Sequence, residues 1–315
     1  MQPYVCDLSP YSFPKKLFYL IGSISTAEVL TYPLDRIKTL LFAKKYNLTK
    51  SFLGYKEFHL TWLEILNIEK FFGLFYGLKA GFDRTFSLLL PKFLIFYYFL
   101  NHRKAETLSF VDLFGLSVVS HTFGGFFVQM SNVLKIKIQT DPVTTKMKKL
   151  DAISMKYRAI SEIYSKEPLF LFRCGFGSSL LSVNIAGLVE IFGFIMIKNG
   201  VDSVFSMREK YKTLVSVFVA SVVATGVSNP LEFIHHKKVI EELRGGHYES
   251  FWKMINNTRK KFGVTEFYKG FLPNLLRNCC FNSILVWILF TGIKFEERKL
   301  HLKGYMHQGR YSGET

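Results

Sequence analysis

The chain of 315 residues is 49% hydrophobic and 17% aromatic, and its 41 Lys and Arg residues outnumber its 24 Asp and Glu residues, which gives a formal net charge of +17. Soluble domains usually carry more charge and fewer aromatic residues than this chain. The same composition excludes a disordered chain, a collagen-like chain and a disulfide scaffold. Such a basic charge is typical either of a nucleic-acid-binding protein or of a membrane protein with basic loops.

Six apolar segments follow one another along the chain, each of about 20 residues or more and able to cross a hydrocarbon core of about 30 Å. The basic residues lie between these segments, which excludes a soluble nucleic-acid binder. Gly, Ser, Thr, Pro and charged residues interrupt each segment, so we predict an all-α membrane protein whose helices pack closely around a polar interior. The segments are residues 17–41, 72–100, 110–137, 169–197, 214–234 and 271–293.

No catalytic or metal site emerges from the sequence. The four cysteines, Cys6, Cys174 and the adjacent Cys279 and Cys280, lack metal-ligand spacing, so free thiols are expected. The neighbouring histidines at 235 and 236 do not share a helix face, and no glycine-rich phosphate loop follows a strand. The N-terminus has no basic region of a cleaved secretory signal. We therefore predict a protein that is not an enzyme and needs no metal or other cofactor.

The sequence repeats at intervals of about one hundred residues, a feature that can define a whole fold. The first segment ends in Pro33-Leu34-Asp35-Arg36-Ile37-Lys38, and the fifth ends in Pro230-Leu231-Glu232-Phe233-Ile234-His235, 197 positions later. Halfway between them, a degenerate copy keeps Lys135 but has Met130 and Asn132 in place of the proline and the acid.

A second motif follows the same spacing. Tyr76-Gly77 precedes Arg84, and Tyr268-Lys269-Gly270 precedes Arg277, with seven positions from glycine to arginine in both. The middle copy, taken as Phe172-Arg173-Cys174, places Leu181 at the arginine position. The first, third and fifth segments also carry pairs of small residues four apart, which would let neighbouring helices approach closely. These pairs are Ser23 and Ala27, Ser120 and Gly124, and Ala220 and Ala224.

Three tandem repeats with these two motifs resemble the mitochondrial carrier family, strongly in repeats one and three and weakly in repeat two. The resemblance implies six transmembrane helices in a pseudo-threefold barrel, with short matrix helices. It also implies a multi-pass protein of the mitochondrial inner membrane with both termini toward the intermembrane space. Basic loops at Lys146–Lys149 and Lys237–Lys261 would then face the matrix, as the positive-inside rule expects. The repeats are assigned to 11–105, 106–205 and 206–300, between tails at 1–10 and 301–315.

In that family, charged residues at the matrix ends of the odd-numbered helices pair in a ring. The pairs implied here are Asp35 with Lys135, Glu232 with Lys38, and Asn132 with His235. Two remain ion pairs, whereas Asn132 and His235 have lost both charges and can share one hydrogen bond. Losing both partners leaves no buried charge unpaired, although independent change at the two positions is the alternative. Because Met130 replaces the family proline, we expect the third long helix to be straighter than the first and fifth.

The gate at the cytoplasmic side departs further from the family pattern. The motif of an aromatic residue, an acid and, three positions later, a base keeps its aromatic residue in all three copies but loses every acid. The acid and base positions are Tyr98 and Asn101, Ile195 and Lys198, and Thr291 and Lys294. Lys198 and Lys294 have no carboxylate within the motif and would repel each other, so we expect a protein that rests closed toward the matrix.

Candidate substrate-binding residues lie between the two gates. By resemblance or by spacing on one helix face, they are Arg84, Leu181, Ser182, Arg277, Glu28, His121 and Asn184. The two arginines would receive an anion, and Glu28 or His121 would be available for a coupled proton. The alternative is structural: Arg84 and Arg277 pair with Glu28 and Asp83 and hold helices together.

Two further expectations concern lipid and a buried acid. By resemblance, the glycine turns at Gly77 and Gly270 would bind cardiolipin through backbone donors at helix N-termini, and Cys174 would disrupt the third such site. Glu190 lies about 140° from the gate face of its helix, so it is expected to point away from the cavity and to be shielded by a neighbouring helix or another protein. Rotation of the helix, so that Glu190 is satisfied internally, is the alternative.

Two functions are compatible with these features. The interpretation we favour from the sequence is a non-transporting or weakly transporting structural subunit of a larger inner-membrane complex, with other membrane proteins as partners. It rests on the lost cytoplasmic gate, the degenerate second repeat, Leu181 and Glu190. The alternative is an active carrier of a small anion (a nucleotide, a carboxylate or phosphate) that works by alternating access.

Overall fold

A computed structural model describes residues 13–43, 55–102, 110–140, 160–161, 170, 174–245 and 250–311, and it describes the side chains of these residues except at 100–102, 110 and 293–311. The N-terminal tail, Cys6, the loop 146–149 and residues 172–173 lie outside this description. The regular structure within it is helical. Eight α-helices are α1 (Phe13–Ala43), α2 (Tyr55–Gly73), α3 (Leu78–His102), α4 (Phe110–Thr140), α5 (Phe176–Val204), α6 (Glu209–Leu243), α7 (Phe251–Phe262) and α8 (Phe271–Tyr311).

The six long helices form a closed ring in chain order. Each of α1, α3, α4, α5, α6 and α8 packs against the next, and α8 returns to pack against α1. An apolar cluster takes buried side chains from all six, among them Leu20, Phe93, Ile191 and Phe281. Closure of the ring leaves a shared interior, as the interrupted apolar segments predict.

Five helices are long and apolar enough to cross a membrane in the described part of the chain. They are Phe13–Ala43, Val111–Thr140, Phe176–Val204, Glu209–Leu243 and Val264–Gly292. The second apolar segment, now α3, carries Asp83, Arg84 and Lys92 within its length. Charged residues in a spanning helix normally face a bundle interior rather than lipid, so they also indicate which side of α3 faces inward.

Short helices lie between the long ones in repeats one and three. Helix α2 packs against α1, and α7 packs against α6. Helix α7 buries Met254 and Thr258 and ends in Arg259, Lys260 and Lys261, where basic side chains complement the helix dipole. In the second repeat, most of the corresponding stretch lies outside the described residues.

Helix boundaries correct two of the predicted segments. The second segment was expected from residue 72 and the fourth from residue 169, but α3 starts at Leu78 and α5 at Phe176. In both cases a glycine with positive φ, Gly77 (+82°) or Gly175 (+67°), precedes the helix and breaks the apolar run. At the other end of the chain, the expected tail from residue 301 is helical as far as Tyr311.

Small residues lie where the long helices touch, as predicted. Ser23, Ala27, Ser120 and Ala220 are at most 1% exposed, and Ala224 is 6% exposed. At the remaining position, Gly124, an added Cβ would lie 2.8 Å from the carbonyl oxygen of Leu88 on α3. The sequence pattern therefore marked true helix contacts.

The N-terminus of α8 requires glycine on two grounds. Gly270 has φ +67°, and a Cβ there would lie 2.8 Å from Cε1 of Phe42 on α1. We expect Gly270→Ala to destabilise the fold by about 1–3 kcal/mol, because an L-residue in this conformation adds strain to the overlap. Thermal unfolding of the purified protein in detergent measures the loss.

The matched control is Gly226→Ala within α6, where an added Cβ would have nothing within 4 Å. Alanine has the higher helix propensity, so the control should leave the melting temperature unchanged or slightly raised. Equal melting temperatures for the two variants would contradict the role given to Gly270.

Candidate functional site

A cavity of about 190 Å³ lies inside the ring of helices. Residues of α3, α4, α5, α6 and α8 line it, with Arg84 and Lys92 on one wall, Glu190 on another, and Glu232 and Arg277 deeper. Hydroxyl and amide side chains fill much of the remaining wall. They are Thr85, Asn132, Ser179, Ser182, Ser221, Thr225, Ser228, Asn278 and Asn282. Such a lining suits a small polar solute.

The first predicted pair at the cavity floor is formed and is part of a larger cluster. Asp35 is completely buried, and its carboxylate contacts the ammonium of Lys135, which is also completely buried. Lys38 lies 3.6 Å from the same carboxylate, and Nε of Arg277 lies 3.1 Å from Oδ1. A carboxylate at this depth is tolerable because three cations surround it.

The second predicted pair joins α1 to α6. Lys38 Nζ lies 2.7 Å from Glu232 Oε1. Asn274 of α8 is also bound there, because its Nδ2 donates to Glu232 Oε2 at 2.8 Å and its Oδ1 accepts from Lys38 at 3.3 Å. This asparagine satisfies polar atoms of both partners, so the pair connects three helices.

The third predicted pair is an uncharged hydrogen bond. Asn132 Nδ2 donates to His235 Nε2 at 2.8 Å. On the other side of the imidazole, His235 Nδ1 lies 3.1 Å from the hydroxyl of Ser178. Both ring nitrogens therefore have partners with the imidazole neutral, and the floor closes without a third ion pair.

Arg277 has the structural role that the sequence left as an alternative. Its Nη2 donates to Glu28 Oε2 at 3.0 Å, and Thr85 donates to the same oxygen at 2.9 Å. Glu28 is completely buried by these contacts. Together with its contact to Asp35, this makes Arg277 a strut between α8 and α1. Glu28 is a partner in that strut and does not line the cavity.

Arg84 differs from Arg277, because the expected partners Glu28 and Asp83 do not pair with it. Its side chain lines the cavity, and its Nε is buried with no hydrogen-bond partner. No ion pair of Arg84 is present among the residues whose positions are described. The floor network is balanced without it, since Glu28, Asp35 and Glu232 match Lys38, Lys135 and Arg277 in charge. Arg84 is left to face the cavity as an unpaired cation.

Cys174, predicted at the glycine position of the motif in repeat two, is one position too early. Gly175, with φ +67°, precedes α5 as Gly77 precedes α3 and Gly270 precedes α8, and seven positions after it comes Ser182. Leu181, predicted at the arginine position, is 37% exposed and does not line the cavity, whereas Ser182 does. The conformation of the backbone, which residue identity alone did not reveal, sets this register.

Two other candidates lie away from the main cavity. Asn184 accepts a hydrogen bond from Thr122 of α4 at 3.2 Å and donates to the carbonyl of Leu180, so it joins two helices. His121 donates from Nδ1 to the carbonyl of Ser117 at 2.7 Å and lines a smaller adjoining cavity. Its ring lies against Gly187, where an added Cβ would be only 1.8 Å from Nε2.

The prediction that Glu190 points outward is wrong. Glu190 lines the cavity, and its Oε1 accepts a hydrogen bond from Asn282 Nδ2 at 2.5 Å. Helix α5 is rotated so that the acid is satisfied inside the ring, which was the alternative interpretation. Lys92 and Asn282 were missed altogether. The sequence contained a feature that could have identified Lys92. It lies eight residues after Arg84 in an apolar segment, a spacing that keeps it near the same helix face.

The cytoplasmic-gate positions are largely apolar or outward-facing. Ile195 packs against the apolar cluster shared by the six helices, together with the motif aromatics Tyr97, Phe194 and Phe290. Tyr98 is 60% exposed, and Thr291 is also exposed and donates to the carbonyl of Trp287. The side chains of Asn101 and Lys294 lie outside the described residues.

Lys198 has partners that the sequence analysis did not anticipate. Its ammonium lies 3.0 Å from Asp202 and 3.0 Å from Glu209, the first residue of α6. The expected carboxylate within the motif is absent, but one turn of helix and the short link to α6 provide two others. Lys198 is therefore neutralised locally, and repulsion from it is reduced.

The helix N-termini expected to bind lipid are built on glycine. A Cβ at Gly77 would lie 3.0 Å from the hydroxyl of Tyr32, and Gly270 lies against Phe42. Gly175 is the equivalent position in repeat two, so Cys174 does not replace the glycine. Cys174 is buried beside it, and burial raises the pKa of its thiol.

Comparisons with known proteins agree with this arrangement. Residues 208–294, within the predicted third repeat, match the family model described as "Mitochondrial carrier protein". The chain is 22% identical over 268 residues to the mitochondrial citrate transporter F of Aspergillus niger, covering 82% of this chain and 83% of the relative. It is 24% identical over 289 residues to mitochondrial brown fat uncoupling protein 1 of Phodopus sungorus, covering 90% and 92%.

A third relative points the same way. The chain is 23% identical over 234 residues to the mitochondrial dicarboxylate transporter of Candida glabrata, covering 71% of this chain and 78% of that protein. Two of these three relatives are named as carriers of carboxylates. The relatives favour a transporter and give no support to the structural-subunit interpretation.

The ion pair between Lys38 and Glu232 provides a test of the floor. We expect Lys38→Met and Glu232→Gln each to destabilise the protein by about 3–5 kcal/mol, because each leaves a buried charge without its partner. The double variant should lose less than the sum of the two single losses, since it strands neither charge. Thermal or denaturant unfolding in detergent measures all three.

Lys253→Met, at an exposed position of α7, is the matched control and should have little effect. Strictly additive losses in the double variant would show that the two side chains do not act as a pair.

Proposed function

Because this chain belongs to the mitochondrial carrier family, we propose that it is a solute carrier that moves a small carboxylate anion by alternating access. The observation that carries the proposal is Arg84, an unpaired cation facing a cavity whose floor is closed by a balanced network. An uncompensated guanidinium inside a membrane protein is costly to maintain, and a substrate anion would neutralise it.

The lining favours a carboxylate over a nucleotide. Phe281 is the one Phe, Tyr or Trp among the described side chains that line the cavity, and it is 8% exposed, which leaves little surface for stacking a base. Hydroxyl and amide groups instead surround Arg84. A guanidinium binds a carboxylate through two parallel hydrogen bonds, and side chains such as Ser182 and Asn278 can hydrogen-bond the rest of a small polar acid.

Two observations that pointed to a structural subunit no longer do so. Ser182, rather than Leu181, occupies the third position of the binding motif, and Glu190 faces the cavity rather than lipid. Two arguments remain. The degenerate second repeat still contributes to the floor, because Asn132 donates a hydrogen bond to His235, and the loss of acids at the cytoplasmic gate concerns the strength of closure at that side. Apolar packing of Ile195 and its aromatic neighbours can serve closure without ion pairs.

The proposal includes a location and a lipid. The chain would span the mitochondrial inner membrane six times, because α3 would cross it in addition to the five helices that are apolar enough to do so. Both termini would face the intermembrane space, and the floor network would face the matrix. The resting state would be closed on the matrix side. Cardiolipin would bind at the N-termini of α3 and α8, beginning at Gly77 and Gly270, and Gly175 makes a third such site available on α5.

Transport by proteoliposomes tests the function. The wild type, reconstituted with internal citrate or malate, should take up labelled citrate, malate or succinate faster than phosphate or ADP. Arg84→Ala should reduce carboxylate uptake at least about tenfold, equivalent to about 1.4 kcal/mol, and keep the wild-type melting temperature, because Arg84 contributes to no ion pair of the floor.

Arg277→Ala should lower both transport and the melting temperature, since it leaves the buried Glu28 without a cation and removes one of the three cations around Asp35. Arg244→Ala, at an exposed position after α6, is the neutral control. Uptake of all five solutes at the rate of protein-free vesicles would defeat the proposal.

A further inference from the structure

The contact between Asn132 and His235 is the part of the floor without an ion pair. His235 is 2% exposed, and its Nε2 accepts a hydrogen bond from Asn132 Nδ2 at 2.8 Å. On the opposite side of the imidazole, Nδ1 lies 3.1 Å from the hydroxyl of Ser178, which already donates its own hydrogen to the carbonyl of Gly175 at 2.7 Å. The imidazole therefore carries its hydrogen on Nδ1, and the neutral form uses both nitrogens.

A second proton on His235 does not fit the closed floor. It would enter at Nε2, where an N–H of Asn132 points at the ring, so two donors would face each other. Rotation of the amide would present Oδ1, which is buried without a hydrogen-bond partner, but it would supply no negative charge. The carboxylates of the floor are already matched by Lys38, Lys135 and Arg277. The closed floor therefore requires a neutral His235.

Cations outnumber acids around His235. Glu232, three residues earlier on α6, is an acid that acts on the imidazole, but Lys38 of α1 holds this carboxylate at 2.7 Å. Arg84 of α3 and Lys238 of α6 act on His235 as cations. An additional positive charge at this position would be repelled and would have no carboxylate of its own. The neighbouring helices contribute as further groups Lys135 from α4, the hydroxyl of Ser178 from α5, His236 from α6 and Arg277 from α8.

The adjacent His236 is held differently. Its Nδ1 donates to the carbonyl of Glu232 within α6 at 2.9 Å, and its ring packs edge-on against Phe42 of α1. Its Nε2 has no hydrogen-bond partner in the part of the chain that the structure describes. Separation of α4 from α6 therefore breaks the hydrogen bond of His235 and leaves that of His236 in place.

We propose that His235 makes opening of the floor sensitive to pH, because it is neutral in the closed floor and takes up a proton from water once α4 and α6 separate. An imidazole in water has a pKa of about 6.5, so this proton is exchanged near neutral pH. The protonated ring cannot return to its place opposite Asn132, and acid therefore holds the floor open. The inference rests on the proposed carrier function in one respect, that the floor opens, and it names the group that regulates this step.

Spin labels at the ends of α4 and α6 measure this opening. They are attached at Thr140→Cys and Arg244→Cys of the full-length chain in lipid nanodiscs, with the four native cysteines replaced by alanine. Pulsed electron paramagnetic resonance then gives the distribution of distances between the labels. From about pH 7.5 to about pH 5.5, the ratio of the long-distance to the short-distance population should rise about tenfold, because a solvated imidazole becomes protonated over this range.

Three variants show whether His235 is the group responsible. His235→Gln can hydrogen-bond Asn132 but cannot take up a proton, so its distances should not depend on pH. The double variant Asn132→Asp with His235→Lys introduces a third ion pair and should keep the floor closed at both pH values. His236→Gln is the matched control and should respond as the wild type does. A pH-independent wild type would overturn the proposal, and so would a response that His235→Gln retains or that His236→Gln abolishes.

Unfolding of the unlabelled protein is a second measurement that needs no cysteine replacement. Because His235 is neutral in the closed protein and can be protonated in the unfolded chain, its contribution to stability is lost as the pH falls. From about pH 7.5 to about pH 5.5, the equilibrium constant for folding of the wild type should fall about tenfold more than that of His235→Gln. Equal decreases in the two proteins would contradict a neutral His235 in the closed floor.

The carrier proposal and this inference fail separately. Uptake of carboxylates by a protein whose floor opens independently of pH overturns this inference alone. A floor that opens in acid, in a protein that transports none of the five solutes, supports this inference and defeats the carrier proposal.

Discussion

Burial of charge at the floor of the cavity constrains the rest of the structure. Asp35, Lys135, Lys38, Glu232, Glu28 and Arg277 come from four helices, and none of them could be placed at this depth alone. Each ion is tolerable only while its partner is in position, so the network fixes how α1, α4, α6 and α8 approach one another. The uncharged contact between Asn132 and His235 obeys the same constraint, because no charge is left unmatched.

The two ends of the ring are held by different chemistry. The floor depends on directional ion pairs and amide hydrogen bonds, whereas the opposite gate positions pack into an apolar cluster or face outward. Lys198 is neutralised by Asp202 and Glu209 instead of by a neighbouring repeat. Opening the floor means separating buried ions, while opening the other side exposes mainly apolar surface. A carrier built in this way depends on its substrate to offset the cost at the floor.

The buried cations of the interior differ in whether they have ion-pair partners. Arg277 is bound on both sides and acts as a strut, while Arg84 and Lys92 are left to the cavity, with Glu190 opposite them. The sequence offers the two arginines as equivalents, since each lies seven positions after a glycine. They differ because Glu28 forms an ion pair with Arg277 and not with Arg84. The proposed substrate contact and the stability of the floor are thereby assigned to different residues of one motif.

The amino-acid sequence alone predicted a helical membrane protein with repeats of about one hundred residues and small residues at helix contacts, because these features follow from periodicity. The three floor pairs are what the resemblance to the mitochondrial carrier family implies, and the structure forms all three. Only the tertiary structure decided the register of repeat two, the inward rotation of Glu190 and the separate roles of Arg84 and Arg277. These depend on how a helix is rotated and where a glycine adopts positive φ, as at Gly175, and packing against other helices sets both.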